Sequence, residues 1–252
     1  MSDQSPVPGL KQSVLSLGTR DPAARLGVAV VRDLVAAVIT GEVQPGEILP
    51  PEGMLSQSFG VSRTVIRESV KRVEEKGLLT VAQGRGTTVN EPSAWNVLDP
   101  VVLSALVDHD DSLGVLDDLA VVRGSLEGSM AVAAAQRISP ENAKVLAGAY
   151  ERMVSTLDDI DAYNEADFNF HNAVMEQSGN RLAANINRIL FARARESSRF
   201  TGKPQADARE ITLDEHRRVM DAIVSGDAAA AETAMREHIA LAWARRRPTG
   251  NA

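Results

Sequence analysis

Residues 59–78 run Phe59-Gly60-Val61-Ser62-Arg63-Thr64-Val65-Ile66-Arg67-Glu68, then Ser69-Val70-Lys71-Arg72-Val73-Glu74-Glu75-Lys76-Gly77-Leu78. This stretch decides the N-terminal fold. Gly60 makes a turn, Val61 anchors it, and Ser62 is placed to cap a helix that reaches about Lys76. Within that helix Val65, Ile66, Val70 and Val73 form an apolar stripe, while Arg63, Arg67 and Lys71 recur every four residues on another face beside Thr64. Upstream, Leu26, Val30, Leu34 and Val38 predict a first helix stopped by Gly41, and Leu49-Pro-Pro-Glu52 opens a short second helix with Leu55 and Phe59 inward. Downstream, two short strands, 79–82 and 87–90, flank the Gly84-Arg85-Gly86 turn. Helix, helix, turn, helix and hairpin make a winged helix-turn-helix over residues 21–90.

A lone basic helix is usually only a solvated face. Here the whole unit is present, and a helix entering the major groove needs a basic edge whose N-terminal turn meets base edges. Arg63, Thr64, Arg67 and Lys71 are the expected DNA-reading residues, with Gly84 and Arg85 at the wing. Arg72 and Lys76 are expected at phosphates or in solvent.

Around this unit, residues 1–20 read as a flexible tail, 91–98 as a linker or docking segment, and 248–252 as a second tail. From Asp99 to residue 247, Ala, Leu and Val at helical spacing predict six or seven helices in one all-α antiparallel bundle. The expected fold is therefore mainly α, in two parts. Residues 1–90 hold 10 Lys+Arg against 9 Asp+Glu, whereas 91–252 hold 17 against 25, so the net charge of −7 belongs to the bundle. Zero cysteines exclude a disulfide scaffold and thiol catalysis. No apolar run is long enough to span a membrane and no signal peptide opens the chain, so a cytoplasmic protein is expected.

The bundle carries ionisable residues where apolar ones belong. Tyr163, Asp167, Phe170, His171 and Val174 share one stripe, Leu213, His216, Met220 and Ile223 a second, and Met235, His238 and Ala242 a third. A single inward histidine is ordinarily a hydrogen-bonded core residue. Three helices each presenting one point instead to a divalent ion held by Asp167, His171, His216 and His238. This set suits zinc, nickel, cobalt, iron or manganese, and the ligands alone do not choose among them. His109 reads as exposed. Arg123 lies on the inner stripe of Leu116, Leu119, Leu126 and Met130. Glu127 or Asp167 could pair it structurally; alternatively, it adds a second positive charge beside a metal–Asp centre and grips an effector carboxylate. The arginines at 188, 193, 195 and 199 read as further anion contacts or as a solvated or dimer-facing basic face.

Pro45-Gly46, Leu49-Pro50-x-Glu52, residues 59–68, Glu75-Lys-Gly-Leu78 and Gly84-Arg-Gly86 resemble the GntR family of bacterial transcription regulators over residues 25–90. Arg123-x-x-Leu126-Glu127, Asp167-x-x-x-His171, Ser178-Gly-Asn180, Glu215-His216 and Glu237-His238 resemble the FCD effector domain of its FadR-type subfamily. Trp95-Asn-Val-Leu-Asp99 with Val102-Leu103 is similar to the junction in sugar-acid repressors, such as those for galactonate and gluconate. The resemblance implies a homodimer on an inverted-repeat operator, Arg63 and Arg67 on bases, four metal ligands at 167, 171, 216 and 238, and Arg123 on a small carboxylate or sugar acid. Many relatives have Arg where this chain has Gly53, so one familiar DNA contact is missing. The expected function is a ligand-released repressor. A regulator in which the metal is sensed or structural, and a metal-dependent hydrolase, are the rival readings.

Overall fold

The computed structural model describes residues 22–196 and 207–247. Its first three helices are α1 (Pro22–Ile39), α2 (Glu52–Phe59) and α3 (Arg63–Glu75). Gly60 ends α2 in the left-handed region at φ 63°, and the Ser62 hydroxyl accepts a hydrogen bond from the Val65 amide to start α3. Strands β1 (Leu79–Ala82) and β2 (Gly86–Val89) pair antiparallel, Leu79 opposite Val89 and Ala82 opposite Gly86. The second strand thus begins one residue earlier than its composition predicts, because Gly86 closes the ladder at the turn. Val30, Leu34, Val38, Leu55, Ile66, Val70 and Val73 form the core of this domain, and Phe59 is half-buried against it. Leu26 departs from expectation and is 50% exposed. Gly27 is the residue buried there, with space for a Cβ only at van der Waals distance from Ser69, so the inward face of α1 is offset by one position.

Residues 91–98 are fastened to the DNA-reading domain. Trp95 Nε1 donates to the Asn90 carbonyl and the Asn96 amide to the Lys76 carbonyl. The Ala94 carbonyl lies where a Cβ on Gly77 would fall, so only glycine fits that approach. Lys76 corrects the sequence reading. Its ammonium is not at a phosphate or free in solvent but 2.6 Å from Asp99, with both side chains largely buried. Asp99 also caps α4 (Pro100–Asp108) through the amides of Val101 and Val102. On α4, Val102 packs in the DNA-reading core, while Leu103 and Val107 join Leu116, Phe191 and Trp243 of the bundle. One helix therefore belongs to two cores.

The remaining helices are α5 (Gly114–Gln136), α6 (Pro140–Ser155), α7 (Ile160–Ser178), α8 (Arg181–Glu196), α9 (Ala208–Val224) and α10 (Ala228–Arg246). With α4 they make seven among the described residues, within the expected number. Ser139 and Asp159 cap α6 and α7, and Gly179 ends α7 at φ 70°. Phe170, Val174, Val219, Ile223, Met235 and Ile239 fill the interior between α7, α9 and α10. Helices α5 and α10 pack closely because Gly124 and Gly128 leave room for the backbone and side chain of Arg236. No helix among the described residues is long and apolar enough to cross a membrane.

Candidate metal centre and DNA-reading face

Asp167 and His171 stand one turn apart on α7, His216 projects from α9 and His238 from α10, all buried. One ligand atom from each lies within 4.8 Å of the other three. His171 Nε2 is 3.3 Å from Nε2 of His216 and 3.3 Å from Nε2 of His238. His216 Nε2 is 3.4 Å from Asp167 Oδ1 without hydrogen-bonding it, and that oxygen is buried with no hydrogen-bond partner.

The opposite ring nitrogens decide what this cluster is. His171 Nδ1 sits 2.5 Å from Glu127 Oε2, His238 Nδ1 3.0 Å from Glu215 Oε2, and His216 Nδ1 2.7 Å from the Thr212 carbonyl. Each partner is an acceptor, so each imidazole carries its proton on Nδ1. All three Nε2 lone pairs then face one another and a carboxylate, with no proton to share between them. Burial drives His216 well below the ordinary imidazole range and lowers His238 as well, so those two rings resist protonation. A divalent cation among the converging lone pairs would relieve their crowding. Ligand bonds of about 2.0–2.2 Å with angles of about 90–110° separate ligand atoms by about 3 Å or slightly more, and the observed 3.3 Å separations fit.

Burial acts to raise the carboxyls of Asp167 and Glu215, but positive charge on the neighbouring imidazoles once they protonate at low pH, with the nearby arginines, outweighs it and holds both at about 2. Glu127 is likewise held well below the carboxylate range, against burial, by His171 and Arg123. Arg245 forks onto both oxygens of Glu215 at 2.7 and 2.6 Å. Such bonds to the non-ligating nitrogen fix the ring orientation and tautomer that a metal needs.

Arg123 does not enter the ligand cluster directly. Its Nε and Nη2 bind Glu127 Oε1 at 3.0 and 2.9 Å, and its guanidinium lies 3.6 Å above the centre of the Phe191 ring. Asn187 Nδ2 donates to the same Glu127 oxygen at 2.9 Å. The partner is thus Glu127 rather than Asp167. Sequence reasoning missed that Glu127 also holds His171, and it missed Glu215, Thr212, Asn187 and Arg245. Two signals were present: the carbonyl four residues before His216, and an acidic residue preceding it on a face shared with Thr212.

On α3 the predicted residues Arg63, Thr64, Arg67 and Lys71 are exposed, as is Arg72. Arg67 is held by Glu52 through two bonds of 3.0 and 2.9 Å, and the Arg63 guanidinium lies across Gly53, 3.3 Å from where a Cβ would be. Gly84, at φ 76°, and Arg85 project at the wing turn. His109 is exposed. Arg188 bonds Asn172 and Asn185, and Arg195 lies over Phe168. The side chain of Arg193, and residue 199, lie outside the described residues.

Comparison with known proteins places both halves. Residues 26–89 match the model for bacterial regulatory proteins of the gntR family, and residues 118–241 match the FCD domain. The HTH-type transcriptional regulator Mce2R of Mycobacterium tuberculosis is 30% identical over 226 residues, which is 84% of this chain and 88% of that protein. The chain belongs to the GntR family and carries an FCD domain. The galactonate operon transcriptional repressor of Escherichia coli is 29% identical over 205 residues, covering 81% of this chain and 90% of that one. The solved structure of Lar from Listeria monocytogenes shares the fold, with a TM-score of 0.55, 18% identity and coverage of 88% of this chain and 96% of that one. This GntR-family protein is a DNA-binding transcription regulator, and the hydrolase reading falls because its relatives are regulators rather than enzymes.

Proposed function

We propose that this regulator is a homodimeric repressor of a carboxylate or sugar-acid catabolic operon. In this reading α3 and the wing bind an inverted repeat, with Arg63, Thr64, Arg67, Lys71, Gly84 and Arg85 at the DNA. Asp167, His171, His216 and His238 hold one divalent ion, zinc first, and a small carboxylate bound there with help from Arg123 releases the operator. The observation that carries it is the convergence of three Nε2 lone pairs on the orphaned Asp167 oxygen. A bound divalent ion supplies positive charge and coordination positions beyond these four ligands. The similarity to a galactonate operon repressor and the Trp95–Asp99 junction support a sugar acid.

Helix α4 supplies the route. Because Val102 packs in one core and Leu103 in the other, a shift in the bundle moves the reading head. Two recognition helices displaced this way no longer match half-sites one DNA turn apart. A thermal-shift screen of metal-loaded and chelated protein against galactonate, gluconate, lactate and short dicarboxylates, followed by operator titration, tests the scheme. A metal-dependent shift that also weakens DNA binding is expected. The depth of burial favours one second reading, a structural or sensed metal. Loss of folding on chelation with no acid altering DNA affinity would establish that reading instead.

A further inference from the structure

Glu52 places a carboxylate on the face that has to meet a polyanion. It stands in the first turn of α2, and its two oxygens accept from Nε and Nη2 of Arg67 on α3 at 3.0 and 2.9 Å. Both side chains are open to solvent, so the pair contributes little to stability. The Arg67 hydrogen bonds, with the charge of Arg63 beyond them, hold the Glu52 carboxyl below the usual carboxylate range. A negative charge in this place weakens binding to every DNA sequence alike, because phosphates repel it. The form of the contact gives it a use. A guanidinium carries its donors on two edges of a planar fork. Glu52 takes the side edge, Nε with one Nη2 proton. The end edge, Nη1 with the other Nη2 proton, keeps two parallel donors of the kind that meet guanine O6 and N7.

We infer that Glu52 is a positioning residue for sequence recognition, holding the Arg67 guanidinium so that its end edge reads one guanine in each half-site and does not swing to a phosphate. The inference rests on the placement of Arg67 at the DNA proposed above. An unheld arginine reaches a base edge or a phosphate, and only the base contact carries sequence information. Held by Glu52, Arg67 is kept from the backbone, and its side chain is ordered before DNA arrives. The repulsion from the carboxylate acts on all sequences, whereas the guanine contact forms with the right one. The gap between right and wrong DNA therefore widens, at some loss of affinity for both.

Selection by the full chain from a library of random duplexes, followed by titration of the enriched duplex and a scrambled one, tests this. The unaltered protein should enrich a guanine at a position that Arg67→Ala no longer selects. Glu52→Gln keeps the size of the side chain and removes its charge. It should relax that same position and no other, cutting the ratio of enriched to scrambled affinity by about tenfold. Its affinity for scrambled duplex should rise, and the slope of log affinity against log salt should steepen by about one as Arg67 takes a phosphate. In an Arg67→Ala background, Glu52→Gln should alter no base preference, because Glu52 acts through Arg67. Melting curves check that each variant folds. An unchanged guanine preference in Glu52→Gln, at a position that Arg67→Ala relaxes, would overturn the positioning role and leave Arg67 at the DNA. Relaxation of no position by Arg67→Ala would overturn both.

Discussion

The residues assigned to DNA and those assigned to metal are organised in opposite ways. On α3 the basic side chains lie on the surface, held at most by one exposed ion pair or by contact with a glycine. In the bundle the four candidate ligands are buried, and each imidazole is oriented by a partner from the same or another helix. Surface residues contribute to binding and little to folding. Buried convergent ligands contribute to both, because the groups that hold the ion also fill the core. The two halves therefore answer differently to the same perturbation, and the two tryptophans separate them. Trp95 lies against the DNA-reading domain and Trp243 in the bundle core.

The largest expected difference comes from removing the metal. At free ion a thousandfold above its dissociation constant, the loaded bundle gains about 4 kcal/mol over the chelated form. Thermal unfolding of Trp95→Phe and Trp243→Phe proteins, each reporting from its remaining tryptophan, should show a shift on chelation at Trp243 that exceeds the shift at Trp95. Equal shifts would mean that α4 welds both cores into one cooperative unit. No shift at either position would remove the metal.

Acid should act on the same side of the comparison. Burial makes His216 and His238 titrate below the ordinary imidazole value of 6.5 in the folded chain, whereas in the unfolded chain they take up protons near it. The unfolded state then binds more protons, so stability is full above about pH 6.5 and is lost as pH falls toward the depressed folded values. The slope is up to about 1.4 kcal/mol per pH unit for each imidazole. Asp167 and Glu215, held at about 2, add a further loss as pH drops from the ordinary carboxylate range toward 2. Chelated protein followed at Trp243 between about pH 7 and 5 checks the histidine part. A flat profile there would contradict the burial of neutral imidazoles.

Much of this contrast was legible in the sequence, for a physical reason. Helical period alone puts Asp167 and His171 on the Tyr163–Val174 stripe, and the same rule places His216 and His238 inward, so the four candidate ligands that the structure brings together could be grouped from spacing. The orienting groups could not. Glu127 lies 44 residues from His171, and whether its second oxygen meets that ring depends on how α5 crosses α7, which no local pattern encodes. Lys76 misled for the same reason. On its own helix it reads as a basic residue near DNA, and only the fold brings Asp99 to it.

On the DNA side, Arg67→Ala should cost about 1–3 kcal/mol of operator affinity. It should leave thermal stability almost unchanged, because the side chain is 69% exposed and its ion pair with Glu52 is screened. Operator titration beside a melting curve checks both halves of that statement. Unchanged affinity would take Arg67 off the DNA, and a marked loss of stability would make it a structural residue like those of the bundle.

The smallest expected effect is at Gly53, and it tests how far the reading face is independent of its scaffold. The residue sits in the first turn of α2 with an unstrained backbone, so alanine there should stabilise by no more than about 1 kcal/mol through helix propensity. The nearest atom to the added methyl is the Arg63 guanidinium nitrogen at 3.3 Å, the far end of a flexible side chain that can swing aside. If Arg63 reads bases from an extended rotamer, Gly53→Ala favours that rotamer and operator affinity holds or rises slightly. If Arg63 instead needs its resting place across α2, affinity falls while stability still rises. Opposite signs in the two measurements would show that even on the exposed face a missing side chain has been built into how DNA is met.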